Sequence, residues 1–286
     1  MSGTDTLMTT LKVVDLTPHI GSEIEIEVEA LLNGAVAAEI RALLEKRGVL
    51  VARNRKLDDE QLLAIAATLG SVRLGTVAKE GVDGILKVTF DRSQNPTGPN
   101  SFRGTFYWHM DGTFDDTPPL AAVLTPRILS AEGGDTEYAN TYAAFDDLPE
   151  ADKARFSELK VLHTMESAHR IYTPSPSPEQ LQHWAKFPAR IHPLVWRHHT
   201  GRKSLLLSSS VTRVAGMEEK ESDALLARLM EWTTQPSYVY RHNWQMGDLL
   251  IWDNTGTMHR ALPYDIECGR RLHRVTLEGE ESFVTA

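Results

Sequence analysis

The chain has 286 residues, 41% hydrophobic and 24% charged; this composition supports a sizeable apolar core and excludes disorder, and the length fits one elaborated β domain spanning 1–286. With 39 acidic against 30 basic side chains the formal charge is -9, which disfavours nucleic acid and anionic membrane surfaces as partners. Cys268 is the single cysteine, so intrachain disulfides and thiolate zinc clusters are excluded; with no basic-then-apolar leader over Met1–Thr10 and no apolar run near the ~20 residues of a membrane span, a reducing, cytoplasmic location is expected.

In chain order, Val36 to Lys46 carries apolar residues at helical spacing and runs into Gly48, after which Val49-Leu50-Val51-Ala52 reads as a buried strand. Asp58 and Gln61 form a capping-box pattern ahead of Leu62, Leu63, Ile65, Ala66 and Leu69, and this second helix stops at Gly70. From about Ile85 the pattern changes to short apolar or alternating runs separated by Gly, Pro, Asn and Asp, which predicts antiparallel β organisation. Two helices interrupt it, roughly Pro149 to Leu159 and Glu218 to Thr233, the latter with Leu225, Leu226, Leu229 and Trp232 along one face. His199-Thr200-Gly201-Arg202 and Gln245-Met246-Gly247-Asp248 read as hairpin turns between strands. The Pro- and Ser-rich segment 164–190 reads as a lid over a pocket, with a plain surface excursion as the alternative. No repeat of about 20–50 residues is present, which removes solenoids and propellers. The predicted architecture is mainly β with decorating helices, a jelly roll with a ligand-binding interior.

The residues that carry chemistry begin with Phe106-Tyr107-Trp108-His109-Met110-Asp111-Gly112-Thr113. In a strand-like run, side chains two apart share a face, so His109 and Asp111 could reach one ion. Such a triplet alone is weak evidence and more often marks a surface or hydrogen-bonded histidine, so a third ligand is needed. The candidate is His259, delivered after the apolar run Leu249-Leu250-Ile251-Trp252 and a short polar turn. Two imidazoles and one carboxylate on one face leave positions open for a bidentate acid and O2, the geometry of Fe(II) oxygenases. Arg270 and Arg274, four apart on a strand, can aim two guanidinium groups into one cavity, and a guanidinium fork binds carboxylates in a way lysine cannot reproduce.

Taken together, RALLEKRGVLVARN, the DDEQLLAIAATLG helix, YWHMDGTFDDTPPLAAVL, EGGDTEYANTYAAFDDLP, HPLVWRHHTGRKSLLLSSS, MGDLLIWDNTGTMHRA and RRLHRVT resemble, in order and spacing over nearly the whole chain, the taurine and 2,4-dichlorophenoxyacetate dioxygenases. These are Fe(II)/2-oxoglutarate enzymes built on a double-stranded β-helix. The resemblance implies His109, Asp111 and His259 as iron ligands and Arg270 as the partner of the distal carboxylate of 2-oxoglutarate, assisted by the Thr136 hydroxyl. It places Arg274 near the metal-bound end of the cosubstrate, within reach of an anionic substrate. Trp252 and Asp253 match the strand before the distal ligand and read as packing and turn residues. The implied reaction consumes 2-oxoglutarate and O2, yields succinate and CO2, and hydroxylates a small molecule; a hydroxylated carbon bearing oxygen, nitrogen or sulfur can then lose that bond. A dimer or tetramer is also implied.

Departures from the family pattern narrow the substrate. Where taurine enzymes place substrate-binding histidines, this chain reads Ser71-Val72-Arg73-Leu74-Gly75-Thr76-Val77-Ala78, which speaks against taurine itself. Asp111 speaks against the halogenating variant, in which a halide takes the carboxylate's coordination position. A small organic acid is expected, with Arg73, Lys79, Arg103 and Arg197 as candidate anion contacts. His163, His169, His192, His198, His199, His242 and His273 read as structural or exposed, with solvent access expected at His198-His199, and Cys268 reads as a packing residue. Two other classes share these features in part: a metal-dependent hydrolase, which the arginine pair fits poorly, and a non-catalytic β-barrel that binds a small acid.

Overall fold

The structure is a computed structural model that describes residues 11–75, 82–98 and 102–283; Met1–Thr10 and the candidate anion contact Lys79 lie outside them. Its strands are β1 (Lys12–Asp15), β2 (Ser22–Glu25), β3 (Val49–Ala52), β4 (Ile85–Thr89), β5 (Ala121–Ile128), β6 (Thr136–Asn140), β7 (Lys160–His163) and β8 (Arg190–Pro193). They continue as β9 (Val195–Arg197), β10 (Lys203–Leu205), β11 (Val211–Val214), β12 (Val239–His242), β13 (Leu249–Asp253), β14 (Thr257–Ala261) and β15 (Arg271–Thr276). The larger sheet runs β1-β2-β3-β13-β5-β15-β4, and a second runs β12-β6-β14. Smaller sheets β11-β7-β8 and β9-β10 flank them.

The alternation of side chains along each strand sets the layers. In β13, Leu249 and Ile251 join the core beneath the helices Ala37–Arg47 and Asp59–Leu69, while Leu250 and Trp252 join an inner cluster with Tyr138 of β6 and Tyr240 of β12. A strand covered on both faces reads as a near-continuous apolar run, which accounts for Leu249-Leu250-Ile251-Trp252. The same rule orients β15: Leu272 faces the inner cluster and Val275 the helices. On the helix side His273 bonds Asp59 at 2.7 Å. A one-residue slip would send Arg274 into the helix-covered core, so the pattern fixes the register. The outer side of the smaller sheet packs Ala139 and Met258 against Phe145, Phe156 and Leu229 of the later helices. Two sheets enclosing one lined interior, with helices outside, form the expected jelly roll.

The capping box at Asp58 and Gln61 is formed in both directions, at 2.8 and 3.1 Å, and the four anticipated helices lie within a residue or two of their expected ends. Two expectations change. Residues 106–113 are not a strand: a 3-10 turn over Phe102–Phe106 and a turn beginning at Asp111 bracket a single bridge, His109 to His259. Residues 245–248 do form a turn, with the Asp248 N–H donating to the Gln245 carbonyl at 3.1 Å, but it carries the chain from β12 in one sheet to β13 in the other and so closes no hairpin. The turn at 199–202 is a true hairpin joining β9 to β10. Segment 164–190 contains two short helices, Met165–Arg170 and Pro178–Trp184, capped by Thr164 and Ser177. No helix among the described residues is long and apolar enough to cross a membrane.

Asp58→Ala removes an exposed N-cap without touching the interior, and its expected cost is about 1 kcal/mol, read from urea unfolding with the slope unchanged.

Candidate active site

Three strands aim polar side chains into the interior. Arg270 and Arg274 share the inward parity of Leu272, Thr136 shares that of Tyr138, and His259 lies directly opposite Tyr138 across the β6–β14 ladder. His109 enters from the loop ahead of β5, tied to His259 by reciprocal backbone bonds of 3.1 and 2.8 Å. Gly112, at φ 77°, turns the chain immediately after Asp111; a Cβ there would meet the Pro119 ring at 2.3 Å.

These elements bring together one ligand atom each from His109, Asp111 and His259, all within 4.8 Å of one another. Nε2 of His109 lies 3.8 Å from one Asp111 oxygen and Nε2 of His259 lies 3.7 Å from the other. Such separations suit two donors each at about 2.1 Å from a shared ion after small side-chain adjustment. The His109 Nδ1–H donates to the Tyr107 carbonyl at 2.8 Å, which orients the ring and leaves the Nε2 lone pair facing the group. Burial, reinforced by His109, pulls His259 well below the usual imidazole pKa against the opposing pull of Asp111, so its ring is neutral at physiological pH, as a ligand must be. Burial disfavours ionisation of Asp111, yet Arg274, His259 and His109 together outweigh it and hold the carboxyl well below its usual range. Arg274 supplies the main counter-charge: its Nη2 donates to Asp111 Oδ2 at 2.5 Å, and its guanidinium lies 4.9 Å from the centre of the Trp252 ring.

Arg270 is only 3% exposed. Its Nη2 donates to the Gly134 carbonyl at 2.7 Å and its guanidinium lies over the Tyr264 ring. Among the described residues no carboxylate pairs with it, and its Nε is left without an acceptor. A buried cation without a counter-ion is costly, so this guanidinium suits an anionic ligand. Gly134 permits this packing: at φ 80°, an added Cβ would lie 2.8 Å from the arginine Nε. The Thr136 hydroxyl accepts from Trp244 Nε1 at 3.0 Å and keeps its own hydrogen to donate.

A cavity of about 710 Å³ opens beside the triad. His109, Asp111 and Arg274 form one end; Met165, Ala168, His169, Tyr172 and Phe187 of segment 164–190 form another wall. Arg73 lines it too, although already paired with Asp115 at 2.8 Å and Glu278 at 3.0 Å. Arg103 borders a separate hollow with Asp91 and Glu267, and Arg197 is exposed on β9.

The profile described as "Taurine catabolism dioxygenase TauD, TfdA family" matches residues 12–276. The chain belongs to this family. It is 30% identical over 274 residues to the alpha-ketoglutarate-dependent 2,4-dichlorophenoxyacetate dioxygenase of Burkholderia sp. (strain RASC), covering 91% of each chain. An alkylsulfatase of Acinetobacter baylyi is 35% identical over 280 residues, 94% of this chain and 86% of that one. A solved structure of AAD-2 in complex with Mn(II) and N-oxalylglycine superposes with a TM-score of 0.80 at 29% identity, covering 96% of this chain and all of that one. The protein is thus an oxidoreductase of the 2-oxoglutarate-dependent dioxygenase class, whose members use Fe(II), 2-oxoglutarate and O2.

Several side chains of this dioxygenase were not singled out by the sequence. Tyr138 stacks beside His259, with centroids 6.0 Å apart, and its buried hydroxyl has no partner among the described residues. His169 lines the cavity with Nδ1 donating to the Met165 carbonyl at 2.8 Å. Tyr138 lies in the EGGDTEYANTYAAFDDLP block with no role attached to it, and the inward parity of β6 could have pointed to it; His169 was read only as structural or exposed. His198, expected near solvent, is buried between Glu281 at 2.6 Å and Ser204 at 2.8 Å, while the ring of its neighbour His199 is exposed. Phe106 stacks on Phe90 and Trp108 packs in the outer core, so these aromatics are structural, whereas Tyr107 stacks on Tyr172.

Asp253 ends β13 and accepts from the Thr255 N–H and hydroxyl at 2.8 and 2.7 Å. Burial raises its pKa from 3.8 to about 6 against those bonds. The folded state therefore holds this proton more tightly than the unfolded one, and stability falls as pH rises from about 4 through about 6. Asp253→Asn keeps an acceptor for Thr255 and removes the charge. Urea midpoints are expected to show a gain on the order of 1–3 kcal/mol at pH 8 and little change at pH 4.

Proposed function

We propose that this dioxygenase hydroxylates a small anionic organic molecule at a ferrous centre held by His109, Asp111 and His259, with Arg270 and Thr136 receiving the distal carboxylate of 2-oxoglutarate. The observation that carries the reading is the pairing of a two-imidazole, one-carboxylate donor set with a buried guanidinium that lacks a carboxylate partner among the described residues. The donor set suits ferrous iron with open positions, and the bare guanidinium suits a dicarboxylate. A hydrolase would have no use for Arg270. When bound, the iron and 2-oxoglutarate supply oxygen activation coupled to loss of CO2.

The chain's own contribution is positional. Tyr107 fixes the His109 ring, Arg274 keeps Asp111 ionised, and Thr136 can donate to the carboxylate that Arg270 pairs with. Segment 164–190 acts as the lid: its Met165, Tyr172 and Phe187 cover the cavity and exclude water from the substrate. The apolar and aromatic lining, with Phe102 and Phe114 opposite, favours an aryl or alkyl body, and Arg274 lies where an acidic head could share its charge with Asp111. Relatives named for 2,4-dichlorophenoxyacetate and for alkyl sulfates support that class. Hydroxylation next to an ether or ester oxygen would release it as a leaving group. A cytoplasmic setting agrees with the lone, unpaired Cys268.

Anaerobic addition of Fe(II) and 2-oxoglutarate is expected to produce the weak visible charge-transfer band of the chelate, and its absence would contradict the centre. Asp111→Ala should abolish substrate-dependent succinate release; full release in that variant would remove Asp111 from the ligand set. Arg270→Ala is expected to raise the 2-oxoglutarate KM about 10- to 100-fold, the loss of one charge-assisted pair, with Mn(II) affinity preserved. A panel of aryloxy acids, alkyl sulfates, sulfonates and carboxylates scored by succinate release would identify the substrate; activity confined to neutral compounds would overturn the anionic class.

A further inference from the structure

We infer that Asn254 is a positioning residue for Asp111: its side-chain amide replaces the missing strand partner and determines where the carboxylate is presented. This rests on the proposed iron centre. The His109–His259 bridge is a single rung, and the ladder stops there because the chain turns at Asp111 and Gly112. One rung further on, the Asp111 peptide has no neighbouring strand.

The Asn254 side chain fills that place. The Asp111 N–H donates to Asn254 Oδ1 at 3.2 Å, and Asn254 Nδ2 donates back to the Asp111 carbonyl at 3.0 Å. This is the reciprocal exchange a facing peptide makes in an antiparallel ladder. The second amide hydrogen goes to the Pro119 carbonyl at 3.0 Å, and the Asn254 backbone N–H donates to the Leu120 carbonyl at 3.0 Å. The residue is 0% exposed, so no solvent competes for these groups and each would be left unpaired by an apolar replacement.

The arrangement ties both ends of the triad to one short segment, since Asn254 lies five residues ahead of His259. Asn254 touches neither the carboxylate nor the imidazoles. It fixes the backbone from which the carboxylate projects, and Arg274 then orients the oxygens. Aspartate at 254 would keep the acceptor and lose both donors, and alanine would lose all three bonds.

The test uses the full-length protein, with Mn(II) as the probe and free Mn(II) read by EPR. Wild type, Asp111→Ala, Asn254→Ala and the milder Asn254→Ser are compared, each below its own metal-free Tm. Both Asn254 variants are expected to bind Mn(II) about 10- to 100-fold more weakly, as outer-shell losses do, and to show an altered bound-ion spectrum at saturation. Serine fills part of the space, so it carries the test if alanine does not fold. A lowered metal-free Tm with Mn(II) affinity within twofold of wild type would make Asn254 merely structural and overturn the inference. Wild type that fails to bind Mn(II), or Asp111→Ala that binds it as wild type does, would overturn the centre itself and this inference with it.

Discussion

An ionised carboxylate in the interior of a β core survives only beside opposite charge, and Arg274 provides it for Asp111 across 2.5 Å. The pair neutralises itself, and His259, held well below the usual imidazole range by burial, adds no charge. Arg270 is then the one guanidinium of this interior with no carboxylate among the described residues. The imbalance is local and directional: it faces the space between the sheets, where the ligand atoms of the triad also converge. Strand parity produces this arrangement, because Arg270, Leu272 and Arg274 must all face one way once Val275 faces the other.

Much of the fold was legible because burial writes itself into periodicity. β3 and the Leu249–Trp252 run of β13 are apolar at every position since both faces are covered, and the helix Asp59–Leu69 announces itself by its capping box. β1, β2, β7 and β11 are four-residue strands with exposed or mixed faces, too short for alternation to stand out. Residues 245–248 illustrate another limit: Gly247 specifies a turn, but nothing local specifies which sheet the next strand joins.

The site divides in the same way. His109 and Asp111 were recognisable by spacing, but the reason given for their convergence, a shared strand face, does not apply, because only His109 makes a strand-like contact. Arg270 and Arg274 did follow from strand spacing. The pairing of Arg274 with Asp111 joins residues 163 apart and leaves no trace in any local pattern. Tyr138 and His169 were missed for the same reason, since their meaning comes from what the fold sets beside them.

The walls of the cavity have separate origins in the chain. His109, Asp111 and Arg274 belong to β15 and to the loop ahead of β5, whereas Met165, Ala168, His169, Tyr172 and Phe187 all lie in one excursion that carries none of them. The proposed metal ligands and one apolar wall of the cavity therefore occupy different stretches of polypeptide. Replacements in the excursion would alter that wall and leave the triad in place, a modularity by which one scaffold can diversify without relearning its chemistry.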